Sequence, residues 1–145
     1  MRIVVGAMVT TVLAVPQAMA DFLASCRLCN SESVFGGHRI VADCDTEESG
    51  ITRISSLDLN YCIGNDNGTL KAQDPGLFAD TCYACLSLPT VDGDNKAYMQ
   101  CVCKTRDQIR DYTRLLIQTT LLDNLDGLLG CFGGKWLGED VTCEH

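Results

Sequence analysis

The chain has 145 residues, with 11 basic and 19 acidic side chains, a net charge of −8 and 10 cysteines. That length suits one domain or two small intertwined halves, and the acidic balance argues against nucleic acid or anionic membranes as partners, since nothing offsets phosphate repulsion. An even cysteine count at this density reads as a disulfide framework in an oxidising compartment.

Met1-Arg2 gives a positive start, Ile3 to Val15 is almost wholly apolar, and Ala18-Met19-Ala20 offers small residues at a cleavage position. This predicts a secretory signal peptide over 1–20, because the run is shorter than the about 20 residues that cross a bilayer. Cleavage after Ala20 would leave 125 residues and, with Arg2 gone, a charge of −9. No second long apolar stretch follows, so the expectation is a secreted, extracellular protein with no membrane span.

Beyond Ala20 the chain repeats itself. Ser25-Cys26-Arg27-Leu28-Cys29 returns as Thr81-Cys82-Tyr83-Ala84-Cys85, with a start-to-start spacing of 56 residues from Cys26 to Cys82. Each block reaches a further cysteine, Cys44 or Cys103, and then a turn, Asn65-Asp66-Asn67-Gly68 or Asn124-Leu125-Asp126-Gly127. A single repeat of this period implies two pseudo-symmetric halves. Ile40-Val41-Ala42 and Ile54 to Leu59 read as short strands, and Asn67-Gly68 and Asp126-Gly127 as tight hairpin turns. Gly36-Gly37 and Asp92-Gly93-Asp94 mark turns between the cysteines of each half, and Asp74-Pro75-Gly76 marks the join. From Arg106 to Leu125 two readings compete. Ile109, Tyr112, Leu115, Leu116, Leu122 and Leu125 fall near helical spacing. The repeat asks the same segment to be a strand and a turn, and the β-branched Thr113, Ile117, Thr119 and Thr120 side with it. Phe132 to His145, with the only Trp, has no counterpart in the first half.

Ser55-Ser56-Leu57-Asp58-Leu59-Asn60 and Ile63-Gly64-Asn65-Asp66-Asn67-Gly68-Thr69-Leu70-Lys71 resemble the core motif of the cyanovirin-N homology family. Phe22 before Cys26, Phe78 before Cys82, Cys103-Lys104-Thr105-Arg106 and Asn124-Leu125-Asp126-Gly127 fit the same pattern. The second half departs where Leu116-Ile117-Gln118-Thr119 stands against Leu57-Asp58-Leu59-Asn60. The resemblance implies an all-β lectin of two tandem repeats, each a triple-stranded sheet plus a hairpin, with strands exchanged between the lobes. It implies a single domain over 21–131, with repeats of about 21–75 and 76–131 and a tail of 132–145. By position in the family, the repeat staples would be Cys26–Cys44 and Cys82–Cys103. Cys85–Cys101 would cross the same hairpin, and Cys62–Cys131 and Cys29–Cys143 follow only by elimination among the pairings open to six cysteines. A monomer or a domain-swapped dimer is compatible with such repeats.

The expected ligand is an oligosaccharide or a glycoprotein glycan, of mannose type or related, held by hydrogen bonds to vicinal hydroxyls. Carried over from the family, the better-matched site comprises Gly64, Asn65, Asp66 and Asn67 on one edge and Thr81, Lys104, Thr105, Arg106 and Gln108 on the other. The weaker site comprises Ser25, Asp45, Glu47, Asp123, Asn124, Leu125 and Asp126. The bland alternatives are turn asparagines with a solvated Arg106 at the first, and an acidic face that keeps the chain soluble at the second. Asn67-Gly68-Thr69 is an N-glycosylation sequon inside the better site.

Other chemistries find little support. Cys26-x2-Cys29 and Cys82-x2-Cys85 have zinc-like spacing, which a secretory signal disfavours. His38 and His145 are the only histidines, and H-E-x-x-H, G-x-S-x-G and a phosphate loop are missing, Gly133-Gly134-Lys135-Trp136 included. A paired-acid glycosidase lacks a distinguished carboxylate pair. Trp136 reads as packing more than as a sugar platform. The expectation is therefore a non-enzyme with no cofactor or metal. The competing class is a secreted cysteine-rich interaction or effector-like protein that keeps the scaffold without the sugar.

Overall fold

The computed structural model describes residues 22–29, 34–35, 38–89, 97–117 and 121–143. The segment 1–20 expected to be a signal, the turns expected at Gly36-Gly37 and Asp92-Gly93-Asp94, and Gln118 to Thr120 lie outside these residues.

The first repeat opens on a single helical turn, α1 (Phe22–Ser25), which buries Phe22. Strands β1 (Cys26–Leu28), β2 (Val34–Phe35), β3 (Arg39–Asp45) and β4 (Thr52–Asp58) form an antiparallel sheet with β3 between β1 and β4. A 3-10 turn over Leu59–Tyr61 follows, with the Asp58 side chain accepting the Asn60 N–H. The hairpin of β5 (Ile63–Asp66) and β6 (Thr69–Ala72) completes the half. A second 3-10 turn, Phe78–Asp80, then buries Phe78 as α1 buries Phe22. The second sheet is β7 (Cys82–Pro89), β8 (Ala97–Lys104) and β9 (Arg110–Leu116), and its hairpin is β10 (Leu122–Leu125) and β11 (Leu128–Cys131).

Both hairpins turn where two successive residues have positive φ: Asn67 at 51° and Gly68 at 93°, Asp126 at 53° and Gly127 at 84°. Asn, Asp and Gly tolerate that conformation, and its twist matches the flanking strands.

The hairpins are exchanged between the halves. β6 lies against β9 of the second sheet, and β11 lies against β4 of the first. Matching polar contacts fix each one: Leu70 N–H donates to Thr113 Oγ1 at 3.0 Å, and Leu129 N–H donates to Ser55 Oγ at 2.9 Å. The apolar faces meet in one core, in which Phe22, Ile40, Ile63, Phe78, Met99, Leu122 and Leu129 are fully or almost fully buried. Burying each such side chain contributes about 1.5–3 kcal/mol.

The segment with helical spacing is extended. β9 pairs with β8 from Lys104↔Arg110 to Tyr98↔Leu116. Alternate residues then point inward, so Thr113, Leu115 and Ile117 are at least partly covered while Tyr112 faces out, and Ile109 is exposed in the loop before the strand. The helical period was a coincidence of two exposed apolar residues with an inward set of period two. The departing motif also settles into register. The loop at 105–109 is one residue shorter than its counterpart at 46–51, so Ile117 takes the place of Leu59. Both are buried, and their N–H groups make matching bonds, Leu59 to the His38 carbonyl at 2.7 Å and Ile117 to the Ala97 carbonyl at 3.0 Å.

Residues 132–143 strap the first sheet. β12 (Trp136–Leu137) extends β11, and β13 (Glu139–Asp140) pairs with the outer edge of β4. Gly138 lets the backbone come this close, since a Cβ there would lie 2.9 Å from the Ser56 carbonyl oxygen. Trp136 stacks on Tyr61 with centroids 4.3 Å apart, and its Nε1–H donates to Asp74 Oδ1 at 2.8 Å. Five disulfides join Cys26 to Cys44, Cys29 to Cys143, Cys62 to Cys131, Cys82 to Cys103 and Cys85 to Cys101. The first and fourth bridge directly paired residues of neighbouring strands.

Candidate functional site

The β5–β6 turn meets the 105–109 loop of the other repeat, and two asparagines latch it there. Asn65 Nδ2 donates to Thr81 Oγ1 at 2.8 Å and to the Lys104 carbonyl at 2.9 Å, while its Oδ1 accepts the Gly68 N–H at 2.7 Å. Asn67 Oδ1 accepts the Arg106 N–H at 2.9 Å. Thr105 closes the loop from within, its Oγ1 accepting the Ile109 N–H at 3.1 Å. Between turn and loop lies an open depression of about 390 Å³. Asn65, Asp66, Asn67, Thr81, Lys104, Thr105, Arg106 and Gln108 all line it. Gly64 does not. It is buried beneath Gln73, and a Cβ there would lie 2.5 Å from Gln73 Oε1.

The depression also includes Asp80, which sequence reasoning missed. Its signal was its place beside Thr81, in the turn that carries the buried Phe78. Across the pocket, Asp66 is ion-paired with Lys71 at 2.9 Å. That hydrogen bond and the Lys71 charge hold its carboxyl below the usual carboxylate range, with Arg106 adding to the effect. The exposed rim therefore offers carboxylate acceptors from Asp66 and Asp80 and cationic donors from Lys104 and Arg106. Such a set can bracket adjacent hydroxyls, each both donor and acceptor.

The other lobe repeats the latch. Asn124 Nδ2 donates to Ser25 Oγ and to the Asp45 carbonyl, both at 2.9 Å, and Oδ1 accepts the Gly127 N–H at 2.8 Å. Asp126 Oδ1 accepts the Glu47 N–H at 2.8 Å. The surface beside it differs. The depression there is about 50 Å³ and touches Ser25 and Asp45 but not Glu47, Asp123, Asn124, Leu125 or Asp126. Asp123 accepts the Gly133 N–H of the tail at 3.3 Å, and Leu125 Cδ1 packs over Gly130 and Gly134. Where the first site has Lys104 and Arg106, this lobe has Asp45 and Glu47.

All ten cysteines are in disulfides, so the zinc-like spacings have no thiolate to offer. Among the described residues no cluster of His, Cys, Asp and Glu could hold a metal ion. No helix among them is long and apolar enough to cross a membrane. One ring face of Trp136 is taken by Tyr61.

The CVNH domain profile matches residues 22–130. Among solved structures, the chain is similar to a designed cyanovirin-N homolog lectin, LKAMG, with a TM-score of 0.66 and 20% identity over 77% of this chain and 98% of that one. GzCVNH of Gibberella zeae gives a TM-score of 0.65 and 25% identity over 78% and 98%. Microvirin, solved as a mannobiose complex, gives 0.63 and 27% over 78% and 99%. A MoCVNH3 variant, solved in complex with (N-GlcNAc)4, gives 0.62 and 17% over 79% and 99%. No curated protein matches the chain.

Proposed function

The chain belongs to the CVNH domain family, and from that premise we propose that it binds carbohydrate, through the depression between the β5–β6 turn and the 105–109 loop. The observation that carries this reading is the latched rim itself. Asn65, Asn67 and Thr105 use polar atoms on the scaffold and Lys71 holds the Asp66 carboxylate, which leaves Asp80, Lys104, Arg106 and Gln108 free of that duty and facing one open pocket. Pre-positioned polar groups bind at lower entropic cost than mobile ones.

The ligand in this reading is a mannose-type or related oligosaccharide, on a free glycan or a glycoprotein. Microvirin and the MoCVNH3 variant, with mannobiose and (N-GlcNAc)4, supply the two neutral sugars to try first. Ionised Asp66 accepts hydroxyl protons from one edge, while Arg106 and Lys104 donate to hydroxyl or ring oxygens from the other. Binding proceeds without turnover. The second lobe contributes little, because Asp45 and Glu47 replace the cations. The chain acts outside the cell, after loss of residues 1–20, where its disulfides persist. Glycosylation of Asn67 would set a glycan at the mouth of the pocket and silence it.

Retention on a mannan column tests the assignment. Arg106→Ala is exposed and leaves its backbone bond to Asn67 intact. It should elute early, losing about tenfold in affinity, since charge-assisted hydrogen bonds contribute about 1.5–3 kcal/mol. Unchanged retention would place the site elsewhere.

A further inference from the structure

The two sheets are pseudo-equivalent, yet their outer faces are treated differently. On the first, Val41 and Ser56 are buried, and with Arg39 they line a groove closed by Val141, Thr142 and Cys143 of the tail. The Cys29–Cys143 disulfide and the Val141 N–H bond to the Ile54 carbonyl, 3.0 Å, fix that cover. On the second sheet no described residue of the tail pairs with β9.

That open face has a definite composition. Strand register aligns Tyr83, Val102 and Tyr112 in one row, with Lys104 and Arg110 on one side of it and Leu86, Gln100 and Arg114 on the other. Tyr112 is 81% exposed, Leu86 51% and Tyr83 41%. Two cations lie over aromatic rings: Arg114 Cζ is 4.3 Å from the Tyr98 centroid, and Arg110 Cζ is 5.6 Å from that of Tyr83. Asp111, the acid within β9, alternates to the opposite face, where its Oδ2 would lie 3.1 Å from a Cβ on Gly68. Between Ala97 and Ile117 there are four cations, Lys104, Arg106, Arg110 and Arg114, against Asp107 and Asp111, in a chain whose net charge is −8. A bulge between Tyr83 and Leu86, with Ala84 at φ 49°, brings both Tyr83 and Leu86 to this face, and the Cys85–Cys101 disulfide anchors it.

We propose that this face is a second ligand surface, for an acidic polysaccharide bearing uronate carboxylates. Charge complementarity selects an anionic occupant from an otherwise acidic molecule. Guanidinium forks match carboxylates in a way that ammonium groups do not. The exposed ring of Tyr112, which no cation among the described residues covers, suits the apolar C–H side of a sugar ring. Lys104 belongs both to this face and to the depression, so a chain leaving the pocket runs onto the Arg110–Tyr112–Arg114 row. Arg110 and Arg114 stand about 13 Å apart along the strand, so an oligomer and not a monosaccharide reaches both. The proposal goes beyond the neutral-sugar reading and takes from it only the sugar class.

Isothermal titration of the mature protein with a galacturonate hexamer provides the test, with chitotetraose and mannobiose as neutral controls. The hexamer should bind at low salt and weaken as salt rises. Arg110→Ala with Arg114→Ala, or Tyr112→Ala alone, should lower that affinity by about tenfold and about threefold, with melting temperature and neutral-sugar binding unchanged. No binding of the hexamer, or equal binding by the variants, would overturn the proposal. Displacement of the hexamer by an equal concentration of polyglutamate would overturn the sugar assignment and indicate an acidic protein partner. If the neutral sugars fail while hexamer binding still depends on Arg110 and Arg114, the depression loses its role and this face keeps its own.

Discussion

Asn65 makes three hydrogen bonds that close a turn onto a loop from the other half of the chain. Asn124 makes the same three in the second lobe. Asn65→Ala should therefore lower the unfolding free energy by about 1–3 kcal/mol, read from urea unfolding, whereas Asp66→Asn at the exposed rim, which removes only a surface ion pair with Lys71, should lower it by much less. Equal stability of both variants would show that the latch is ornamental. Both asparagines stood out in the sequence as turn residues of the expected sites, but not which atoms the scaffold consumes. A short polar side chain in a turn looks the same whether it meets a sugar or a carbonyl 39 residues away. Asp80 was illegible for a related reason, because its neighbours in the pocket come from other elements. Gly64 carried a site label from its position in the motif, and the structure buries it beneath Gln73, outside the lining of the depression.

Among the elements, the hairpins were the most legible. Asn-Gly and Asp-Gly turns state their geometry locally. β9 was the least, since Ile109 and Tyr112 are apolar residues outside the core, and periodicity cannot tell such residues from core ones. The tail was read only as an addition without a counterpart, and its pairing depends on residues far along the chain. Two carboxylates tie it down. Asp140 receives three contacts of 2.8–3.1 Å from Arg53. Asp74 accepts from Lys135 and from Trp136. The Arg53 hydrogen bonds lower the pKa of Asp140, and those of Lys135 and then Trp136 lower that of Asp74, both below the usual carboxylate value. A folded pKa below the unfolded one gives stabilisation that is complete above about pH 4 and lost as pH falls through the folded value. The Trp136 indole N–H resonance should therefore move as pH drops from about 4 toward 2, reporting loss of its bond to Asp74. An indole shift constant down to that acidity would mean that Asp74 does not hold the tail.

In the whole molecule, the repeat made the architecture readable before any element was certain. Two copies of one cysteine-strand-turn pattern imply two related halves, and the family resemblance implied their sheets, hairpins and strand exchange. Asymmetry was less legible. The lobes share a latch, but Lys104 and Arg106 face a cavity of about 390 Å³ while Asp45 adjoins one of about 50 Å³. Among the described residues the tail covers the first sheet and does not pair with the second, and no local pattern announces its Cys29–Cys143 anchor. The account therefore requires a single neutral-sugar site per chain, and an amide-resolved NMR titration of the mature protein with an oligomannoside tests it most directly. The account predicts shifts centred on Asp66, Asp80 and residues 104–108, saturating at one equivalent site, with Glu47 and Asp126 unmoved. Shifts centred on Glu47 and Asp126, or no shifts with either the oligomannoside or chitotetraose, would contradict it.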